Sequence, residues 1–195
     1  IVGRLRPLEK AMDEDAYQAY RSVVESPALR SIWKTVYGAR FWTGVDPPWT
    51  LATVDDVQFA TERLSPQKTR RLVDLGCGSG ALARHLARDF GALIEGLDAN
   101  PNAIRLAQER NGDPYLSSRI SFRAGDIGTT GFPDSAFDGA ASLDVLLFVA
   151  DKAKVLREIA RILKPDARFA GTTFELGTPS AALAAPAFID YPSAF

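Results

Sequence analysis

The stretch Arg71-Leu72-Val73-Asp74-Leu75-Gly76-Cys77-Gly78-Ser79-Gly80 decides the fold. A short β-like run passes straight into three glycines spaced two apart. Ala81 to Phe90 follows with helical composition, Leu82, Leu86 and Phe90 lying four apart and Gly91 standing as a C-terminal stop. Glycine lets the backbone turn sharply and lets a ligand approach where a Cβ would collide. In open α/β sheets, ligands bind beyond the carboxyl ends of the strands, where this turn must lie. The glycines alone do not name a ligand. They fit a plain tight turn, and Gly76-x-Gly78-x-x-Ala81 also fits the degenerate dinucleotide fingerprint.

Outward from this turn the pattern repeats. Leu93 to Leu97 reads as a second strand closed by Asp98, and Asn100-Pro101 opens a helix with Asn as N-cap and Pro in the first turn. Arg119 to Ala124 is a third strand and Phe137 to Leu143 a fourth. A helix from about Asp151 to Leu163 carries Val155, Leu156 and Ile159 on one face; Pro165 stops it, and Arg168 to Phe174 is a fifth strand. Strands alternating with helices of this length imply crossover units, hence a mostly parallel, doubly wound Rossmann-like α/β sheet. Three regions follow: a helical cap over residues 1–65, the sheet core over 66–176, and a segment over 177–195 whose one charged residue is Asp190. The cap holds all three Trp, with helical spacing over Glu9 to Val24 and Val54 to Leu64.

Composition narrows the chemistry. Lys plus Arg number 23 against 24 Asp plus Glu, giving a net charge of −1 in 195 residues, without the basic excess of a nucleic-acid surface. One Cys and one His exclude a disulfide framework and argue against a bound metal. No apolar run reaches the roughly 18 residues of a membrane helix, so the expected address is the cytoplasm, without membrane contact.

Three carboxylates fall at one edge of the expected sheet: Asp74 before the first glycine, Asp98 at the end of the second strand and Asp126 after the third. A carboxylate at the second strand end can take both hydroxyls of a ribose. Asp126 can accept from an adenine amine, with Ile127 and Ala99 offering apolar surface. A pyrophosphate over the turn would be repelled by Asp74, whereas an amino group and a sulfonium would be attracted. The acids therefore suit an adenosine joined to a positive amino acid better than NAD.

The run Val73 to Gly80 resembles the signature of class I S-adenosylmethionine-dependent methyltransferases. Leu97-Asp98 with Asn100-Pro101 is similar to that family's ribose-binding strand end, and Ala124-Gly125-Asp126-Ile127 to its adenine-binding turn. Phe137-Asp138, Ser142 to Val145, Leu156 to Ile159 and Arg161 to Pro165 resemble the later part of its small-molecule branch. The likeness runs over about residues 55–176. It implies that Asp74, Gly76, Cys77 and Gly78 hold the methionine moiety, Asp98 the ribose, and Asp126 with Ile127 and Ala99 the adenine. Ser142 and Leu143 would line the methyl-bearing side. The implied cofactor is S-adenosyl-L-methionine, and the implied acceptor an O, N or C atom of a small molecule.

Two departures stand out. Pro165-Asp166-Ala167 replaces the family's usual Pro-Gly-Gly, so a reshaped turn is expected there, without loss of cofactor binding. The family's two further strands, one of them antiparallel, are not evident, and Asp190-Tyr191-Pro192 reads as the lead into a helix. A bare fifth strand would favour a homo-oligomer or another cover for that edge.

Among single residues, His85 lies inside the first crossover helix and reads as structural. Cys77 reads as a small residue offering its backbone amide. Asp144, after the fourth strand, is the candidate catalytic group, to orient or deprotonate an acceptor. Tyr37, Trp42 and Phe148 are candidates for the substrate side, although an aromatic cluster such as Trp33, Tyr37, Phe41, Trp42 and Trp49 is more often the core of an added helical layer than a substrate-facing lid. Two other readings compete: an NAD(P)-dependent oxidoreductase, and a methyltransferase-like domain that binds without turnover.

Overall fold

The computed structural model describes residues 27–28, 53–67, 70–149, 151–172 and 189–191. The helix expected over Glu9 to Val24, and Tyr37, Trp42 and the rest of the aromatic cluster, lie outside these residues. Helix α1 (Val54–Leu64) begins with a capping box: the Thr53 hydroxyl accepts from the Asp56 amide, and the Asp56 carboxylate accepts from the Thr53 amide. Next come β1 (Arg71–Leu75), α2 (Ala81–Phe90), β2 (Leu93–Asp98) and α3 (Pro101–Glu109), whose N-cap is Asn100 as its Asn-Pro signal predicts. Then follow α4 (Pro114–Ser117), β3 (Ile120–Ala124), β4 (Phe137–Ser142), a 3-10 turn (Leu146–Phe148), α5 (Lys152–Ile162), β5 (Leu163–Gly171) and β6 (Ile189–Tyr191).

The strands lie in the order β3-β2-β1-β4-β5-β6, with β1 to β5 parallel. Strand order reverses between β1 and β4, so the turn after β1 sits at the switch point where such sheets bind ligands. Side chains alternate across the sheet. Leu72, Ile94 and Phe122 join Leu82 and Leu86 of α2 and Val57, Ala60 and Leu64 of α1 in one core. Val73, Leu75, Leu97 and Phe137 join Val155, Ile159 and Ile162 of α5 in the other. Each fully buried Leu contributes about 1.5–3 kcal/mol. Helix α1 packs on β4 and β5, so its apolar face serves the sheet core although residues 1–65 read as a cap.

Three expectations need correction. The fifth strand starts at Leu163, not Arg168. Lys164 precedes a proline and is biased to extended backbone, so the helix ends at Ile162. Register then jumps from Phe137–Leu163 to Gly139–Arg168, and Asp166 takes a left-handed φ of 64° in the reshaped turn its identity predicts. Helix α4 went unread, although Asp113-Pro114 repeats the cap signal of Asn100-Pro101. Finally, the edge expected to be bare is partly covered. Asp190 and Tyr191 lie not at the start of a helix but in β6, which pairs antiparallel with β5 at Phe169–Tyr191, Ala170–Asp190 and Gly171–Ile189.

Candidate functional site

The glycine turn is stitched to the end of β2. Gly76 and Cys77 both donate their amides to the Leu97 carbonyl, at 2.7 and 3.0 Å, and Gly78 donates to the Asp98 Oδ2 at 2.8 Å. Gly80 closes the turn on the Cys77 carbonyl at 2.8 Å. Gly76, Gly78 and Gly80 have φ of 79°, 52° and 79°, the region that disfavours side chains. Space is as limiting as torsion: a Cβ on Gly76 would lie 2.2 Å from Val145 Cγ2, and one on Gly80 would lie 2.4 Å from Phe122 Cζ.

Asp74 lies deeper than its place in the motif implies. Its neighbours Val73 and Leu75 face α5, so strand alternation turns Asp74 toward α2 with Leu72. There it is 3% exposed and accepts the Ala83 amide, capping a helix whose N-cap glycine has no side chain to do so. Burial, then the charge of Asp98, push its pKa up to about 7, against the pull of the Ala83 amide and Arg84. Its Oδ2 and the Ser79 Oγ are buried without a hydrogen-bond partner.

Asp98 is half-buried above them. Its Oδ1 accepts the Asn100 amide at 2.9 Å and its Oδ2 the Gly78 amide. Burial raises its pKa while those two amides oppose the rise. Each carboxylate oxygen has two acceptor sites, so capacity for ribose hydroxyls remains. Asp126, two residues past β3, is exposed; its Oδ1 accepts the Gly128 amide at 2.7 Å, and its Oδ2 lies 3.8 Å from Lys154 Nζ. Ile127 beside it is buried and Ala99 is exposed. The structure thus brings Asp74 and Asp98 into electrostatic contact and leaves Asp126 at the same edge with a lysine beside it.

The β4 side closes the switch point. The Ser142 hydroxyl donates to the Leu75 carbonyl at 2.9 Å, and Leu143 is buried. Asp144 has a φ of 59°, donates its amide to Thr172 Oγ1 at 2.9 Å, and accepts the Thr172 hydroxyl on Oδ1 at 2.9 Å. Phe148, 58% exposed, ends the 3-10 turn that follows. His85 sits away from the turn, its Nδ1 2.7 Å from Asp89 Oδ2 and its ring edge-on to Phe90, in line with a structural role. The Cys77 thiol is buried, and that burial holds its pKa well above the ordinary range, leaving no reactive thiolate.

Two polar residues escaped the sequence reading. Arg84 is 2% exposed beneath the turn and donates Nη1 to the Ser79 carbonyl at 2.8 Å. Its spacing of four from Gly80 was the available signal. Thr172 gave none beyond lying in the expected fifth strand.

Comparison with known families matches residues 73–171 to the methyltransferase domain. The chain belongs to this family. It is 35% identical over 122 residues to Methyltransferase phqN of Penicillium fellutanum, covering 63% of this chain and 37% of that one. It is 26% identical to Norajmaline N-methyltransferase of Rauvolfia serpentina, over 77% and 56% of the two chains. Among solved structures, the cyclase SpnF superposes with a TM-score of 0.59 at 31% identity, over 64% of this chain and 46% of its own. The chain therefore spans between about a third and three-fifths of the lengths of these relatives. No described helix is long and apolar enough to cross a membrane.

Proposed function

We propose that this methyltransferase domain moves a methyl group from S-adenosylmethionine to an O, N or C atom of a small molecule. The carrying observation is the carboxylate pair Asp74 and Asp98 at the glycine turn, with the Asp74 Oδ2 buried and unpartnered. A cationic amino acid end answers such a pair, and a pyrophosphate would add negative charge to it. Among the described residues, the cation beside the pair, Arg84, is turned down onto the Ser79 carbonyl and not out toward a phosphate. The residues present therefore fit the cofactor that the resemblance implies.

When bound, the cofactor supplies an electrophilic methyl on a sulfonium. The chain's part is binding, alignment and exclusion of water. Asp98 would hold the ribose hydroxyls, Ile127 and Ala99 would flank the adenine, and Asp126 would accept from its amine. Gly76, Cys77 and Gly78 would hold the methionine end with Asp74. Ser142 and Leu143 would border the methyl. Asp144, its carboxylate oriented by Thr172, would orient an acceptor or take its proton. Tyr37, Trp42 and Phe148 are proposed for the acceptor side, and the cytoplasm as the location. Among the described residues β6 pairs with Phe169 to Gly171 of β5, and self-association is proposed through the rest of that strand's edge.

The test is transfer of labelled methyl from S-adenosylmethionine to a panel of small phenols, amines and activated carbon acids. Labelled product supports the reading. Bound cofactor with no product across the panel favours a domain that binds without this transfer. The structural neighbour SpnF is named for a cyclisation, so the fold does not compel methyl transfer.

A further inference from the structure

Arg84 is a charge placed where helix patterning calls for an apolar residue. It lies on α2 among the buried Leu82, Ala83, Leu86 and Ala87, and Arg is almost never this deeply buried without a partner. Burying a guanidinium costs several kcal/mol unless its surroundings compensate. The glycine turn supplies part of that compensation. Nη1 reaches the Ser79 carbonyl, and the Gly80 amide on the same peptide bonds to the Cys77 carbonyl, so the Ser79–Gly80 peptide is held from both sides. A Cβ on Gly80 would lie 3.1 Å from Nη1, a tight contact beside the larger clash with Phe122.

We infer that Arg84 is a positioning residue for the methionine end of the cofactor site, a cation under the turn that pins the Ser79–Gly80 peptide and offsets the paired carboxylates. The inference rests on the reading of Asp74 and the glycine turn given under the proposed function. Without the pin, that peptide can rotate, and the turn loses the shape set by left-handed Gly78 and Gly80. Without the charge, the titratable group among the described residues that acts on Asp74 is Asp98 from β2, which disfavours its ionised form. Arg84 belongs to no part of the motif that reads as cofactor-binding, yet it acts on the peptide between two of its members.

The experiment measures S-adenosylhomocysteine binding by calorimetry from pH 5.5 to 8.5, with a thermal melt of each variant. Arg84→Met is expected to weaken binding about tenfold, the equivalent of one charge-assisted hydrogen bond, and Arg84→Lys to recover most of that loss. Arg84→Gln, which keeps a donor but no charge, is expected to raise by about one unit the pH above which binding levels off, whether or not Arg84→Met folds. A folded Arg84→Met that binds as tightly as the wild type would overturn the inference, as would an unmoved pH profile in Arg84→Gln. If the wild type itself fails to bind, the cofactor reading has failed and not only the role of Arg84.

Discussion

Val145 occupies the space that a side chain on Gly76 would need. Its Cγ2 stands 2.2 Å from where that Cβ would lie, so the glycine turn and the segment after β4 close on each other through one missing methyl group. Asp144 precedes Val145 and is tied to Thr172, so the packing of Val145 on the turn also bears on the placement of Asp144. Gly76→Ala adds overpacking of about 1–3 kcal/mol to a left-handed backbone cost of about 1–2 kcal/mol. Thermal melts should show the sum, and adding Val145→Ala should restore only part of the packing share, since the Val145 Cβ would still lie 2.9 Å from the new methyl. Full recovery in the double variant would contradict this account of the turn.

Asp74 makes stability depend on pH in an uncommon direction. Its folded pKa of about 7 lies above the ordinary 3.8, so the folded protein keeps a proton that the unfolded chain releases. Stability from this group is complete below about pH 4, declines as pH rises toward 7, and is level above. Asp74→Asn should remove that decline and melt higher than the wild type at pH 8. A cation bound beside Asp74 favours its ionised form, so binding at pH 6 should release a proton. Calorimetry in buffers of different ionisation enthalpy reads this directly, and heats independent of buffer would contradict it.

Asp144 is held in a strained conformation and oriented by Thr172. Asp144→Asn should cut turnover by at least about tenfold while leaving S-adenosylhomocysteine affinity within about threefold. Thr172→Val should act in the same direction and more weakly. Equal losses of affinity and turnover would reassign Asp144 to cofactor binding.

Glu158 on α5 braces the loop after Asp126. It accepts from Thr130 through both amide and hydroxyl and pairs with Arg161, whose guanidinium also reaches Asp134. Hydrogen bonding from Arg161, followed by the Thr130 bonds, holds its pKa at about 2 against the desolvation that opposes them. The stability it brings is present above its ordinary 4.5 and lost as pH falls toward 2. Glu158→Gln should cost about 2 kcal/mol at neutral pH and flatten the acid limb of the melt, detectable by denaturant titration at pH 7 and pH 3.

The alternation of strand and helix was legible because Ala81 to Phe90 and Lys152 to Ile162 carry clear apolar faces and their flanking strands end in recognisable turns. Asp98 and the glycines were legible for the same reason: a strand end and a turn are local features. The depth of Asp74 was readable in principle, since it shares the parity of Leu72, but its motif draws attention to a ligand and away from α2. Arg84 reads as a solvated helix residue until the packing beneath Gly80 is seen. The Thr172–Asp144 bonds span 28 positions and depend on the register of β4 against β5, which no local pattern encodes. Strand β6 is three residues long, too short to show alternation.

On the proposed reading, the acids at this switch point select a cationic adenosyl donor over an anionic dinucleotide. Parallel calorimetric titrations of the wild type with S-adenosylmethionine and with NADH at pH 7.5 test it most directly. Saturable heat is expected from the sulfonium compound and none from NADH. Saturable binding of NADH, at equal or higher affinity, would contradict it.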